Sequence, residues 1–145
     1  MPPTQVLAYG GGATTQGPRL EWIERDGRSS VAVEGYYEYR SVALSPDGTK
    51  TLAHRHEDAA GGLWLTDLGR AARSRFTLSA SHDANAVWSP DGATVAFTSD
   101  RDEKRGAIYM KASNGAGDET LVFKAEHPVR LGDWSNDGRG WLTIC

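Results

Sequence analysis

Trp88-Ser89-Pro90-Asp91-Gly92 decides the fold, because the chain writes this junction three times. Leu44-Ser45-Pro46-Asp47-Gly48 precedes it by 44 residues, and Trp134-Ser135-Asn136-Asp137-Gly138 follows it by 46. Proline presets φ for the second position of a type I turn. Aspartate bonds nearby backbone donors through its side chain, and glycine takes the left-handed conformation that closes the turn. Each copy sits between two short apolar runs: Ser41–Leu44 and Thr51–Ala53, then Asn85–Trp88 and Val95–Phe97, and finally a run ending at Trp134 and Trp141–Ile144. A turn of this kind between such runs is a hairpin, and a hairpin recurring at this period is the mark of a repeat architecture.

Outward from the turns, the same units carry further strands. Leu63–Thr66 and Arg75–Leu78 follow the first junction, and Ala107–Met110 and Thr120–Lys124 follow the second. A polar loop at His56–Gly62 and a charged loop at Ser99–Arg105 separate the second and third strands. Upstream, Gln5–Tyr9, Arg19–Glu24 and Val31–Val33 read as three more strands. Gly10-Gly11-Gly12 reads as a linker, since no strand–glycine–helix context and no Gly-Lys-Ser or Gly-Lys-Thr makes it a phosphate loop.

Four antiparallel strands per 40–45 residues is the blade of a β-propeller. The expected fold class is all-β, with an incomplete ring of about half of a six- or seven-bladed propeller. The expected division is a three-stranded partial blade over 1–35, full blades over 36–80 and 81–126, and a two-stranded partial blade over 127–145. Continuous apolar runs such as Val95-Ala96-Phe97 suit strands covered on both faces. Trp22, Trp64 and Tyr109 share one position in their units, and Leu44, Trp88 and Trp134 another, which assigns these aromatics to packing between blades. Such an arc leaves broad apolar faces, a physical motive for self-association.

Bulk properties narrow the function. The 145 residues are 39% hydrophobic and 24% charged, with 17 glycines and a net charge of -3. That balance offers nucleic acid no concentrated basic patch, and no run approaches the ~18 apolar residues of a membrane span. The first residues, Met1-Pro2-Pro3-Thr4-Gln5, show neither the basic nor the apolar segment of a signal peptide. A single cysteine, Cys145, forms no internal disulfide.

Trp88–Gly92, Ser99-Asp100-Arg101-Asp102 and Ile108-Tyr109 closely resemble the propeller repeats of TolB and its relatives. Leu20–Gly27 and Asp133–Arg139 resemble the propeller that follows the kinase domain in some bacterial serine/threonine kinases. The resemblance covers the chain from about residue 5. It implies an extracytoplasmic ring of six or seven blades that binds proteins or peptides on one face or in its channel, and it carries no catalytic residue. Ala86, Leu44 and Asn136 depart from the pattern, where proline, tryptophan and proline are usual.

In a propeller the loops between second and third strands share a rim with the connections between blades. That rim gathers His56, Glu57, Asp58, Ser81, His82, Asp83, Asn85, Asp100, Arg101, Asp102, Glu126 and His127, the candidate binding surface for a protein or peptide. His54 and His56, two apart at a strand end, fall short of the three or four convergent ligands a metal needs. His82-Asp83 has the look of a catalytic dyad without a Gly-x-Ser-x-Gly elbow to serve. Asp47, Asp91 and Asp137, with Ser45, Ser89 and Ser135, Pro46 and Pro90, Asn136, and Gly48, Gly92 and Gly138, are assigned to the turns. No cofactor motif is present. The expectation is a non-catalytic binding or sensing module; the alternatives are a regulatory propeller of a larger kinase or prolyl oligopeptidase-type peptidase, and a self-assembling ring.

Overall fold

The computed structural model describes residues 5–10, 17–57, 60–101 and 106–144, with side chains for all of these except 5–10, 57 and 60. Its regular elements are β-strands. The first sheet joins β1 (Gln5–Gly10), β2 (Arg19–Glu24) and β3 (Ser29–Val33), all antiparallel. The second runs β4 (Tyr39–Leu44), β5 (Lys50–Glu57), β6 (Ala60–Asp67) and β7 (Ala72–Arg75) in order. The third repeats it with β8 (Asp83–Trp88), β9 (Thr94–Ser99), β10 (Ala107–Ala112) and β11 (Thr120–Lys124), and a fourth pairs β12 (Arg130–Trp134) with β13 (Trp141–Ile144). The sheets form an open succession of propeller blades, not a closed ring.

The three junction turns are built alike. The Ser89 hydroxyl donates to Asp91 Oδ1 at 2.6 Å and accepts from the Thr94 amide at 3.0 Å, while Asp91 Oδ1 also accepts from the Ala93 amide at 3.0 Å. Ser45–Asp47 and Ser135–Asp137 repeat these bonds at 2.6 and 2.7 Å. Gly48, Gly92 and Gly138 all take left-handed φ, at 74, 73 and 75°. The Ser45 hydroxyl first, then the Thr49 amide and hydroxyl, hold Asp47 down at about 2, and the equivalent bonds lower Asp91 and Asp137. These carboxylates stay ionised, and keep their turn bonds, into acid solution.

Between consecutive sheets lies a core. Leu20 and Val33 meet Tyr39 and Ala53 between the first two. Leu52, Leu63 and Phe76 meet Trp88, Val95, Phe97, Ala107 and Tyr109 between the second and third. Val87, Ala96 and Ile108 meet Val129, Leu131 and Trp134 beyond that. Strand alternation explains the division: Val95 and Phe97 point to one neighbour while Ala96 points to the other. Trp88 adds a polar tie across the gap, its indole donating to the Ala43 carbonyl at 3.2 Å. The buried Lys111 ammonium donates to the Phe76 carbonyl at 2.8 Å, a second tie between the same sheets.

Two local expectations are corrected. His56–Gly62 is not a polar loop: the β5–β6 ladder continues from Lys50↔Asp67 to Glu57↔Ala60. Gly61 and Gly62, which suggest a loop, serve close approach instead, for a Cβ on Gly61 would stand 2.2 Å from His54 Nε2. The fourth strand of that sheet is Ala72–Arg75 and not Arg75–Leu78. Asp67 Oδ1 caps the amides of Gly69 and Arg70, and Ala71 at φ 53° completes a turn tight enough for pairing to begin at once. The Phe76 amide still donates to the Leu63 carbonyl at 2.8 Å, while its ring enters the core, fully buried. Cys145 and the linker beyond Gly10 lie outside the described residues.

Phe97 is 0% exposed between two sheets, edge-on to Phe76 and stacked with Tyr109. Phe97→Ala is expected to lower the stability of unfolding by about 3–5 kcal/mol, measured by urea denaturation. Leu142→Ala, at a side chain 72% exposed, is expected to change it by less than about 0.5 kcal/mol.

Candidate functional site

The innermost strands β4, β8 and β12 abut in turn, each the first strand of its sheet. Each carries a bulge in its ladder, between Tyr39 and Ser41, between Ala84 and Val87, and between Leu131 and Asp133. A bulge twists a strand and re-aims its side chains. In β8 the device is Asn85, held at φ 51° with its amide donating to Thr98 Oγ1 at 3.0 Å. Asparagine is among the few side chains that tolerate that backbone conformation.

Two clefts follow one another along these strands. The first, about 540 Å³, is lined by Arg40 and Ser41 from β4, Ala84 and Asn85 from β8 and Arg130 from β12, with His54, His56 and His82. The second, about 520 Å³, lies farther along and is walled by Val42–Leu44, Ala86–Trp88 and Gly132–Trp134 together with turn residues Pro46, Pro90 and Asn136. The first is polar and cationic; the second is framed by apolar and aromatic side chains, but most of the surface it exposes is polar.

His54 is the most unusual group in the first cleft. It is buried, meets the His82 ring edge-on at 4.7 Å between centroids, and its Nε2 has no hydrogen-bond partner. Burial foremost, then the neighbouring His82, His56 and Arg40, push His54 down to about 4, against a smaller upward pull from Asp83. It is neutral near pH 7 and a poor general base there. Ser41 stands opposite it in the ladder, but without a hydrogen bond to His54 Nε2 the pair lacks the geometry of an activated nucleophile.

The structure sorts the rim residues into groups. His56, His82 and Asn85 come together in the first cleft. Asp100 joins His82 and Asn85 at an adjoining cleft of about 280 Å³, accepting the His82 amide at 2.8 Å. Glu126 and His127 stand apart, beside Phe123 and Val129. Asp83 is not on the surface at all: fully buried, it accepts from Ser79 Oγ at 2.8 Å and from Arg101 at 3.1 Å. Arg101 in turn donates to Glu119 at 2.5 Å and lies over the Tyr109 ring at 4.2 Å. These two residues tie loops to the third sheet. Ser81 bonds Ser79 at 2.7 Å. The Glu57 side chain, Asp58 and Asp102 lie outside the described residues.

Arg40 and Arg130 escape a search confined to loops, since both sit on strands. The repeat itself carries the signal: each stands four residues before its junction's Leu44 or Trp134, as Ala84 does before Trp88. Aligning the three units places 40, 84 and 130 at one position facing the axis. Among the described residues no cluster has the make-up of a metal site, and no helix is long and apolar enough to cross a membrane.

Comparison with known proteins shows the fold to be that of a TolB-like β-propeller. The chain superposes on TolB of Acinetobacter baumannii with a TM-score of 0.81 and 23% identity, covering 98% of this chain and 35% of TolB. A prolyl endopeptidase matches 97% of the chain with a TM-score of 0.69 and 18% identity, over 24% of its own length. In sequence, the chain is 27% identical over 105 residues to the uncharacterized peptidase YuxL of Bacillus subtilis, 68% of this chain and 16% of that protein. The chain thus spans about a third or less of each of these three proteins. No family model matches the sequence.

The low value of His54 sets the sign of a pH effect. The unfolded chain binds this proton from about pH 6.5 downward, the folded chain only near pH 4. The contribution is therefore intact above pH 6.5 and lost as the pH falls toward 4. The melting temperature is expected to drop over that interval, and His54→Gln to flatten the drop; an unchanged slope in the variant counts against the assignment. The turn aspartates lose their contribution at lower pH.

Proposed function

We propose that this chain is a non-catalytic propeller module that binds a protein or peptide segment in the clefts along β4, β8 and β12. The observation that carries the reading is the composition of those clefts. Arg40, Ser41, Asn85, Arg130 and the three histidines offer hydrogen bonds at one end, and the edges of Leu44, Trp88 and Trp134 stand among polar groups farther along. A polar, cationic anchor followed by a second open cleft of mixed lining suits an extended peptide better than a compact metabolite. The resemblance to TolB repeats supports the same role, and neither cleft pairs a nucleophile with a base.

The test is selection from a displayed library of random linear dodecapeptides against the full chain. Enriched peptides are expected, and Ser41→Trp, which fills the first cleft from an already half-buried position, is expected to weaken them at least tenfold. No enrichment, or undiminished binding by the folded variant, overturns the reading.

A second role is favoured by the likeness to a peptidase and a prolyl endopeptidase: the same module placed beside a catalytic domain, where it admits or positions a peptide. Self-association is a separate proposal, favoured by Leu142 and Ile144, 72 and 68% exposed on the fourth sheet. Sedimentation equilibrium is expected to show a dimer that Leu142→Glu dissociates, and a monomer at all concentrations rejects it.

A further inference from the structure

We infer that the first cleft is a carboxylate site, where a bound peptide is anchored by its chain terminus or by an acidic side chain. The inference rests on the peptide-binding reading above and adds the chemistry that the cleft selects. Two guanidinium groups reach it from opposite walls, Arg40 on β4 and Arg130 on β12, and none of the described residues lining it is acidic. Between them, at the equivalent position of β8, Ala84 leaves the space that a third long side chain would fill.

The two arginines are differently prepared. Arg40 is braced by an ion pair with Glu38, both well exposed. The Arg130 side chain makes no hydrogen bond or ion pair with the described residues, so its planar fork of donors is available to a ligand. Such a fork matches a carboxylate by two parallel hydrogen bonds. The Ser41 hydroxyl, from β4, and the Asn85 side-chain amide, from β8, line the same cleft. The nearby carboxylates are already engaged: Asp83 is buried against Arg101, and Asp100 holds the His82 amide.

His54 gives independent support. Its Nε2 is buried and unpartnered in the wall of this cleft. A buried polar atom without a partner costs free energy that a ligand or ligand-borne water relieves. Gly61 is required for the ring to sit there at all, so the backbone is shaped to hold an imidazole at the site.

The experiment is a titration of the isotope-labelled full chain, followed by amide chemical shifts, with four probes. They are N-acetyl-trialanine with a free carboxylate, its carboxamide, N-acetyl-Ala-Glu-Ala-carboxamide, and inorganic phosphate. Shifts at Ser41, Asn85 and Arg130 are expected with either peptide carboxylate, at least tenfold weaker with the carboxamide. Whichever carboxylate binds more tightly identifies the source. Arg130→Gln is expected to weaken binding about tenfold and Arg130→Lys by less, as the loss and partial retention of charge-assisted donors require; Arg130 is exposed, so both variants should fold. Equal binding of carboxylate and carboxamide, shifts elsewhere, no binding, phosphate preferred over both carboxylates, or an unaffected Arg130→Gln overturns the inference. Peptide-library binding that survives any of those results leaves the broader binding role standing while the carboxylate anchor falls.

Discussion

Burial of each central strand on both of its faces is the constraint on which the structure depends. In β9, Val95 and Phe97 enter one core and Ala96 the other, so neither core forms unless a sheet stands on each side. Hydrogen bonds within a sheet do not supply this. The ties that cross between sheets, Trp88 to the Ala43 carbonyl and Lys111 to the Phe76 carbonyl, fix spacing and register once the apolar side chains have driven the sheets together. Stability is therefore a property of neighbouring units, as in other repeat proteins.

That packing also makes the site. Face-to-face sheets bring their first strands side by side, and the bulges in β4, β8 and β12 turn the early residues of those strands toward a shared axis. The cleft is assembled from three first strands about 45 residues apart in sequence together with His54 and His56 of β5, and none of these segments forms a site alone. Its electrostatics follow from the same construction. The described acidic groups near it are spent on structure, Asp83 on Arg101 and Glu38 on Arg40, and the described polar lining of the cleft consists of donors.

The fold was legible because its signals are local and repeated. Ser89, Asp91 and Gly92 bond within a span of five residues, so sequence order alone displays the turn, and its recurrence counts the units. The glycines of β6 misled for a physical reason. Gly61 and Gly62 resemble loop residues along the chain, yet their need is set across space, by the His54 ring and the Arg75 guanidinium. Asp83 misled in the same way, since nothing beside it in sequence announces the arginine 18 positions on. Arg40 and Arg130 were overlooked because the search was confined to loops, although superposing the three units places them at one position of the repeat.

Positions 40, 84 and 130 have a consequence beyond this chain. They occupy one site in the repeat, and none belongs to the three cores between sheets. A scaffold of this kind separates two inheritances: the spokes that keep it upright and the tips that choose what it holds. Exchanging a tip residue in a single unit would alter one point on the perimeter of the opening and leave the others in place, so a nearly symmetric frame can acquire a lopsided, and hence directional, grip on its guest.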